Sequence, residues 1–519
     1  MRERLESWKE IAAYLGREVR TVQRWATDRG LPVHRLPGGV RPRVFSTKPE
    51  LDAWLQEGSP PKRPEPVSVA VLPFLNLTGR PDDQYFGDGL AEDLINALVR
   101  IPGLRVIART SSFVFAGRGC DVHEIGRRLG AAWLIEGSVR RARKRVRISA
   151  QLVNTRDGVH AWSECFDRQV TDLFAIQDDI ARAIASALQV TLAVGGPVTR
   201  QARDVAAYAL WVKGRSISQQ FTPAAITQAR QCFEDAIRRD PAFARPYFGL
   251  ADLLFAAVQF GLVEPRDALP QLHAAITRSL ELDGSFPEAH ALQGVIRGTL
   301  DYDWPGAEAS FTRALTLGPG SASVLIAHAW FHLVPRRQIA QALDEAERAV
   351  ALDPLSALVR GRLGLVRMAA RQYGAAVEDC RAAVDLAPGR WWAHWFHGTA
   401  LLLHGRLADG FREARRLYDE VHQPQAVGGM ALLYGLFRRR ARARRCLAEL
   451  ETMSAVTHVP PMAWAFAYIG LGDDRMFAWL NKAVDDRDPV VTHLPSMPLY
   501  DSIRDDPRFQ ALLVRMNLA

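Results

Sequence analysis

The sequence predicts a multidomain, mostly α-helical chain: a small helix-turn-helix unit carrying a strand hairpin, then an α/β sandwich, then a long all-α solenoid of helical hairpins. Three observations carry this. Two amphipathic helix patterns, a hairpin pattern and a third helix follow one another within residues 7–55. From Val67 onward apolar strands alternate with helical patterns, and beyond residue 198 chain-reversing residues recur at a nearly fixed spacing.

The first unit, 1–57, opens with Ser7-Trp8-Lys9-Glu10. In this arrangement a serine hydroxyl and a glutamate carboxylate satisfy each other's unbonded backbone N–H groups at a helix start. Trp8, Ile11, Ala12 and Leu15 then recur at i, i+3, i+4 and i+7, one buried stripe, and Gly16 supplies the turn that ends the helix. A second helix covers about residues 18–28. Its inward positions are Val19, Val22 and Trp25 or Ala26, which leaves Arg17, Arg20, Thr21 and Arg24 along the opposite face with Gln23 at its edge. Such a row suits phosphates and base edges. Residues 34–45 read as a two-stranded hairpin around Gly38-Gly39, which can occupy the positive-φ positions of a tight turn. Arg35, Arg41 and Arg43 sit on it, and Thr47 starts a third helix through Leu51, Trp54 and Leu55.

Trp8-Lys9-Glu10-Ile11-Ala12, Val19-Arg20-Thr21-Val22-Gln23-Arg24-Trp25, Leu31-Pro32-Val33-His34-Arg35 and Glu50-Leu51-Asp52-Ala53-Trp54-Leu55 together resemble the MerR-like and excisionase-like winged helix-turn-helix family, over almost the whole unit. The resemblance implies that the second helix enters the major groove of double-stranded DNA while the wing contacts the backbone or minor groove. Arg20, Thr21, Gln23 and Arg24 are then expected to read bases, and Arg17, Arg35, Arg41 and Arg43 to hold phosphate or the minor groove. Glu18 departs from the Ser or Thr usual at the start of the reading helix, and its carboxylate would repel a nearby phosphate. The alternative is an interaction module whose arginines are simply solvated.

Across the 519 residues, 48% hydrophobic and 24% charged is an ordinary soluble globular composition. The net charge of +9 favours polyanions without requiring them. Met1-Arg2-Glu3-Arg4 lacks the apolar core of a signal peptide, and no run reaches the roughly 20 apolar residues of a membrane helix, so a cytoplasmic protein is expected. The five cysteines are widely spaced with no CxxC pair, which reads as reduced thiols.

Residues 58–66, with four prolines, form an extended linker. The next unit, 67–194, shows a strand at 69–74, a helix at 84–100, a strand at 104–108 and a short helix at 122–129. Three strands follow at 132–141, 145–153 and 160–167, then an amphipathic helix through Leu173, Ile176, Ile180 and Ile184. Val71-Leu72-Pro73-Phe74, Tyr85-Phe86-Gly87-Asp88-Gly89-Leu90, Ile135-Glu136-Gly137-Ser138-Val139-Arg140 and Ile176-Gln177-Asp178-Asp179-Ile180 resemble the TolB-like (FlgO-related) domain. That family is found fused to tetratricopeptide repeats and to an output domain, either a helix-turn-helix or a nucleotide cyclase, and the resemblance implies an adaptor role without a reaction. No GxGxxG or GxxxxGK[ST] loop is present. Cys120 and His123 have C-x-x-H spacing but lack further zinc ligands nearby. No catalytic residue, metal ligand or cofactor is assigned. The acidic residues Asp82, Asp83, Asp88, Glu92 and Asp93 are expected to be solvated or to face the helix dipole, with an acidic patch for a cation or partner as the alternative.

In 198–519, chain-reversing residues fall at Pro241, Gly284, Pro319, Pro354 and Pro388, in steps of 43, 35, 35 and 34. Ten positions after each lies a small residue, Ala251, Gly294, Ala329, Gly364 and Gly398, as expected where paired helices approach closely. The period, with Arg371-Gln372-Tyr373 and Ala382-Ala383-Val384-Asp385-Leu386-Ala387-Pro388, resembles the tetratricopeptide repeat, which implies stacked helical hairpins and a groove for a protein or peptide partner. The longer first step fits an insertion near 260–266, and 431–450, 463–484 and 507–518 read as degenerate or capping units. Trp391, Trp392 and Trp395 belong to the densest aromatic cluster, a packing element or an anchor for a partner. The whole reads as a non-enzymatic DNA-binding transcription regulator acting as a homodimer, with a non-catalytic protein scaffold as the alternative.

Overall fold

In the computed structural model the described residues are 4–17, 19–28, 31–36, 43–56, 67–78, 84–101, 103–116, 120–142, 145–169, 179–180, 182–184, 186–188, 204–220, 222–420 and 423–519. They form two compact units, Met1–Val67 and Ser68–Ala519. The linker at 58–66 lies outside the described residues.

In the first unit, α1 (Trp8–Tyr14) and α2 (Val19–Asp28) are joined through Gly16, whose φ of 60° supplies the turn. Strands β2 (His34–Leu36) and β3 (Arg43–Thr47) pair antiparallel, His34 opposite Phe45, and α3 (Lys48–Gln56) closes the unit. A short strand β1 (Arg4–Leu5), which sequence periodicity does not reveal, adds to the other edge of β3. Ile11, Ala12, Val22, Leu31, Leu51 and Trp54 make the core. The helix start differs in detail from the reciprocal cap expected. Glu10 N–H donates to Ser7 Oγ at 3.2 Å, but the Glu10 carboxylate accepts from the Glu6 N–H at 2.8 Å, one residue earlier. Strand β1 brings that amide within reach.

The second unit begins with a mixed sheet. Its main path runs β6 (Leu104–Val106), β4 (Val67–Val71), β7 (Trp133–Ala142), β8 (Arg145–Asn154), β9 (His160–Gln169), with β5 (Leu75–Asn76) also on β7. β4 and β5 run parallel to β7, and β7, β8 and β9 are antiparallel. Helices α4 (Gln84–Leu98), α5 (Arg109–Ser112) and α6 (Val122–Leu129) accompany the sheet. The Phe74 ring lies over Gly137, where a Cβ would fall 2.5 Å from its Cε1. Ile180 and Ile184 are buried, as the amphipathic pattern requires; Leu173 and Ile176 lie outside the described residues.

Eight helical hairpins follow among the described residues. The first two are α7–α8 (Val205–Ser218, Pro223–Arg239) and α9–α10 (Ala244–Gln259, Pro265–Leu282). The third and fourth are α11–α12 (Pro287–Thr299, Trp304–Leu317) and α13–α14 (Ala322–His328 extended by a π turn Ala329–Leu333, then Ile339–Leu352). The next two are α15–α16 (Ala357–Ala369, Tyr373–Leu386) and α17–α18 (Trp391–Leu403, Leu407–Glu420). The last two are α19–α20 (Pro424–Leu436, Arg440–Ser454) and α21–α22 (Pro461–Leu471, Arg475–Asp485). Two 3-10 turns, Pro489–His493 and Pro498–Ile503, lead into α23 (Pro507–Arg515). This is a tetratricopeptide-type solenoid, and its marker positions behave as their size implies. Ala251 and Ala329 are fully buried, and a Cβ on Gly294 would lie 2.7 Å from the Phe311 ring.

The long first step is absorbed by longer helices, 16 residues in α9 and 18 in α10 against 13 and 14 in the next hairpin. Segment 431–450 spans parts of two helices, with Arg438 turning the chain between them at φ 62°. Residues at the same place in successive hairpin turns are left-handed: Tyr302, Arg337, Arg371, Gly405, Arg438 and Gly472.

Candidate nucleic-acid interface and repeat groove

Helix α2 buries Val22 fully, with Val19 and Ala26 half-buried on the same side. Arg17 and Gln23 are exposed and Thr21 is half-buried. The backbone places Arg20 and Arg24 on α2, Arg35 on β2 and Arg43 on β3, two residues from Phe45; their side chains, and all of Arg41, lie outside the described residues. The turn, α2 and the strand pair are therefore one assembly. Its rigidity comes from contacts that sequence reading does not supply. The Tyr14 hydroxyl donates to Asp52 Oδ1 at 2.8 Å, tying α1 to α3. Glu50 accepts from the Thr47 N–H at 3.0 Å and hydroxyl at 2.7 Å, while its other oxygen meets His34 Nε2 at 3.0 Å. The Thr47 hydroxyl, with those partners, holds the Glu50 carboxyl below its ordinary value. Arg4 stacks over the Phe45 ring at 3.6 Å.

In the second unit two of the acidic residues expected to be solvated are not; Asp88 is half-buried, and Asp82 and Asp83 lie outside the described residues. Glu92 and Asp93 are buried against the first two hairpins. Glu92 pairs with Arg109 at 3.1 Å and with Arg215; Asp93 pairs with Arg245 and accepts from the Tyr208 hydroxyl at 2.6 Å. Burial drives the Glu92 carboxyl upward, but Arg215, Arg109 and Arg245 outweigh it and leave it below the ordinary value. A Cβ on Gly89 would lie 2.5 Å from Tyr208 Cε1, so this glycine is a packing notch. Further along, the Ala108 N–H donates to Leu352 O at 2.8 Å, Ser111 N–H and Oγ donate to Asp353 at 3.1 and 2.5 Å, and Leu355 N–H donates to Ser111 Oγ at 2.8 Å. The α/β layer is thus fastened to the first, second and fourth hairpins. Cys120 and His123 take no part in a metal cluster among the described residues; His123 Nδ1 bonds Thr155 O at 2.8 Å.

The face offered by the first helices of the hairpins holds a segment of the chain itself. Residues 489–493 pack on α9 and α11, His493 stacks on Trp330 at 4.2 Å with its Nε2 3.0 Å from Trp330 O, and Ser496 Oγ bonds Val334 O. Val491, Leu494, Met497, Leu499, Tyr500 and Ile503 are all buried there. Around the tryptophan cluster, Trp392 is only 5% exposed, and Trp395 fills the space above Gly429, where a Cβ would lie 2.7 Å from its Cζ3. Both are packing residues in this arrangement. Trp391 is half-buried, edge-on to Phe260 at 5.6 Å.

One cluster was not assigned from the sequence. Glu308, His328 and His332 each offer a ligand atom within 4.8 Å of the others. The available signal was the i, i+4 spacing of His328 and His332; the third member, Glu308, is twenty positions away from the nearer histidine.

These features define a chain with a small helix-turn-helix and strand unit joined to an α/β layer bound on a tetratricopeptide-type array. No family model matches it. It is 38% identical over 236 residues to the Putative adenylate cyclase 3 of Rhizobium meliloti (strain 1021), covering 44% of this chain and 40% of that protein. It is 24% identical over 170 residues to the Transcriptional regulator HilA of Salmonella typhimurium, covering 33% of this chain and 30% of that one. The chain therefore spans at most two fifths of the length of these curated relatives. Among solved structures, a human IFIT1 dimer with PPP-AAAA gives a TM-score of 0.44 at 14% identity, over 66% of this chain and 78% of that one. Pseudomonas aeruginosa pilF gives 0.31 at 20% identity, over 42% and 95%. No helix among the described residues is long and apolar enough to cross a membrane.

Proposed function

We propose that the chain is a DNA-binding transcription regulator whose α/β layer is an adaptor and whose repeats take a protein or small-molecule signal. The observation that supports it is the arrangement of α2, with Val22 sealed in the core and Arg17 and Gln23 turned to solvent. On this reading Arg20, Thr21, Gln23 and Arg24 meet base edges, and Arg17, Arg35, Arg41 and Arg43 hold the backbone. One such unit covers little DNA, so two copies of the chain bind adjacent half-sites. A partner of the repeat groove must compete with residues 489–503. The match to a protein named as a transcriptional regulator agrees with this reading, and the match to one named as a putative adenylate cyclase motivates a direct check. We infer no turnover by this chain, so incubation with ATP is expected to yield no cyclic AMP.

DNA fragments selected from genomic DNA by the purified chain test the main reading. Arg24→Ala should cost about 1–3 kcal/mol on the selected site and relax its sequence, whereas Arg43→Ala should weaken all fragments alike and reduce the salt slope. Unchanged low-salt gel shifts for both variants would reject it. Affinity that does not respond to salt would instead favour the scaffold reading, in which the amino-terminal unit docks a protein.

A further inference from the structure

We propose that Glu308, His328 and His332 form a binding site for a divalent transition metal of the zinc class, bridging α12 to the π turn that extends α13. The two histidines stand one helical turn apart on one face, the spacing by which a single helix presents two imidazoles to one ion. Their rings stack at 5.2 Å, and both residues are buried. Glu308 approaches from α12, its Oε2 at 2.7 Å from His332 Nε2, and its side chain is 51% exposed, leaving a path from solvent. One atom from each residue lies within 4.8 Å of the others, whereas tetrahedral zinc with bonds of about 2.0–2.1 Å spaces its ligands roughly 3.4 Å apart. Closing on an ion therefore needs side-chain shifts of roughly an ångström.

Two further observations point to a ligand. His328 Nε2 is buried with no hydrogen-bond partner, an arrangement that costs free energy unless something else meets it. His328 Nδ1 is held by Glu345 Oε2 at 2.7 Å, and Glu345 is itself steadied by Gln341 at 3.0 Å. This carboxylate behind the imidazole fixes the tautomer in which Nε2 carries the lone pair, the outer support that zinc-bound histidines generally have. The π turn fits as well, since such bulges concentrate at functional sites. Nitrogen and carboxylate donors without thiolate suit zinc, cobalt or nickel better than calcium or magnesium.

Arg336 is the competitor. Its Nη1 lies 2.7 Å from Glu308 Oε2 and 2.9 Å from His332 Nε2, so it must withdraw when a cation enters, and its side chain is 35% exposed and able to do so. This gives a test with a gain as well as losses. The full chain, stripped with a chelator, is titrated with zinc against a chromophoric competitor and separately with cobalt to read the ligand-field spectrum. One ion per chain is expected. Glu308→Gln, on a half-exposed residue that should not disturb folding, should weaken binding at least ten-fold, and His332→Gln should abolish it. Arg336→Ala should tighten it, an outcome that misfolding cannot imitate. No stoichiometric uptake, or uptake unaltered in Glu308→Gln and Arg336→Ala, overturns the assignment. The second result would move the ion elsewhere, for example to His394, His397 and Glu413.

Discussion

Single glycines show where one-dimensional reading stops. Gly87 and Gly89 both lie in the first two turns of α4, and their neighbours are the Phe74 carbonyl and the Tyr208 ring. Tyr208 lies 119 positions beyond Gly89, so no local pattern could announce it. It cannot easily give way, because it is held by Asp93 and lies beside Trp211 at 5.6 Å. Gly89→Ala should therefore overpack the joint between sheet and array and cost about 1–3 kcal/mol in urea unfolding. Gly389→Ala, where the added methyl meets nothing within 4 Å, should change stability by less than about 1 kcal/mol. Equal effects from the two substitutions would refute this packing account.

Helices and strands were largely legible, because proline and glycine punctuation and apolar periodicity are local signals. The core of the first unit follows the stripe of α1, and the repeat hairpins follow their period. What escaped has non-local or aperiodic causes: β1 depends on an edge of β3 41 to 43 residues away, and Arg438 turns the chain without the glycine that would have marked it. The segment 489–503 is irregular and leaves no periodicity to read. Its docking carries two opposed titrations. Burial holds the His493 imidazole down to about 4, against Trp330 O and with Arg362 nearby disfavouring its charge. Its contribution is complete above 6.5 and is lost as pH falls toward 4. Burial lifts Asp488, which caps the same segment by accepting from Val490 N–H at 3.0 Å, to about 6, with Asp486 adding to the rise. Its penalty is full above 6 and relaxes as pH falls toward 3.8. His493→Gln should thus dock more firmly as pH drops from 7 to 4.5, and Asp488→Asn less firmly. Amide exchange across 490–500, corrected for its intrinsic pH dependence, reads both slopes, and parallel slopes would contradict the assignment.

At the scale of the second unit, composition and period distinguish an α/β layer from a helical array, but the chemistry that joins them is invisible until Glu92 and Asp93 are seen facing Arg109, Arg215 and Arg245. An acidic run beside a helix start ordinarily faces water, and only the placement of three arginines from elsewhere in the chain reverses that expectation. Asp93 is the most exacting of these positions. Arg245 is buried, and its guanidinium holds its proton even more firmly than usual because Asp93, Tyr208 and Glu92 outweigh the cost of burial. Asp93→Ala strands that charge, and breaking such a pair from one side costs about 3–5 kcal/mol. The loss should fall on the joint rather than on either part. Wild-type chain should pass through a shared unfolding transition for the Ser68–Ala519 unit, whereas Asp93→Ala should separate sheet from array into two. Replacing both members, Asp93→Leu with Arg245→Met, removes the stranded charge and should recover much of the stability, since apolar isosteres of a buried pair are often tolerated. If the double replacement were as damaging as the sum of the single ones, the joint would depend on packing around Trp211 and Phe243 rather than on this charge pair.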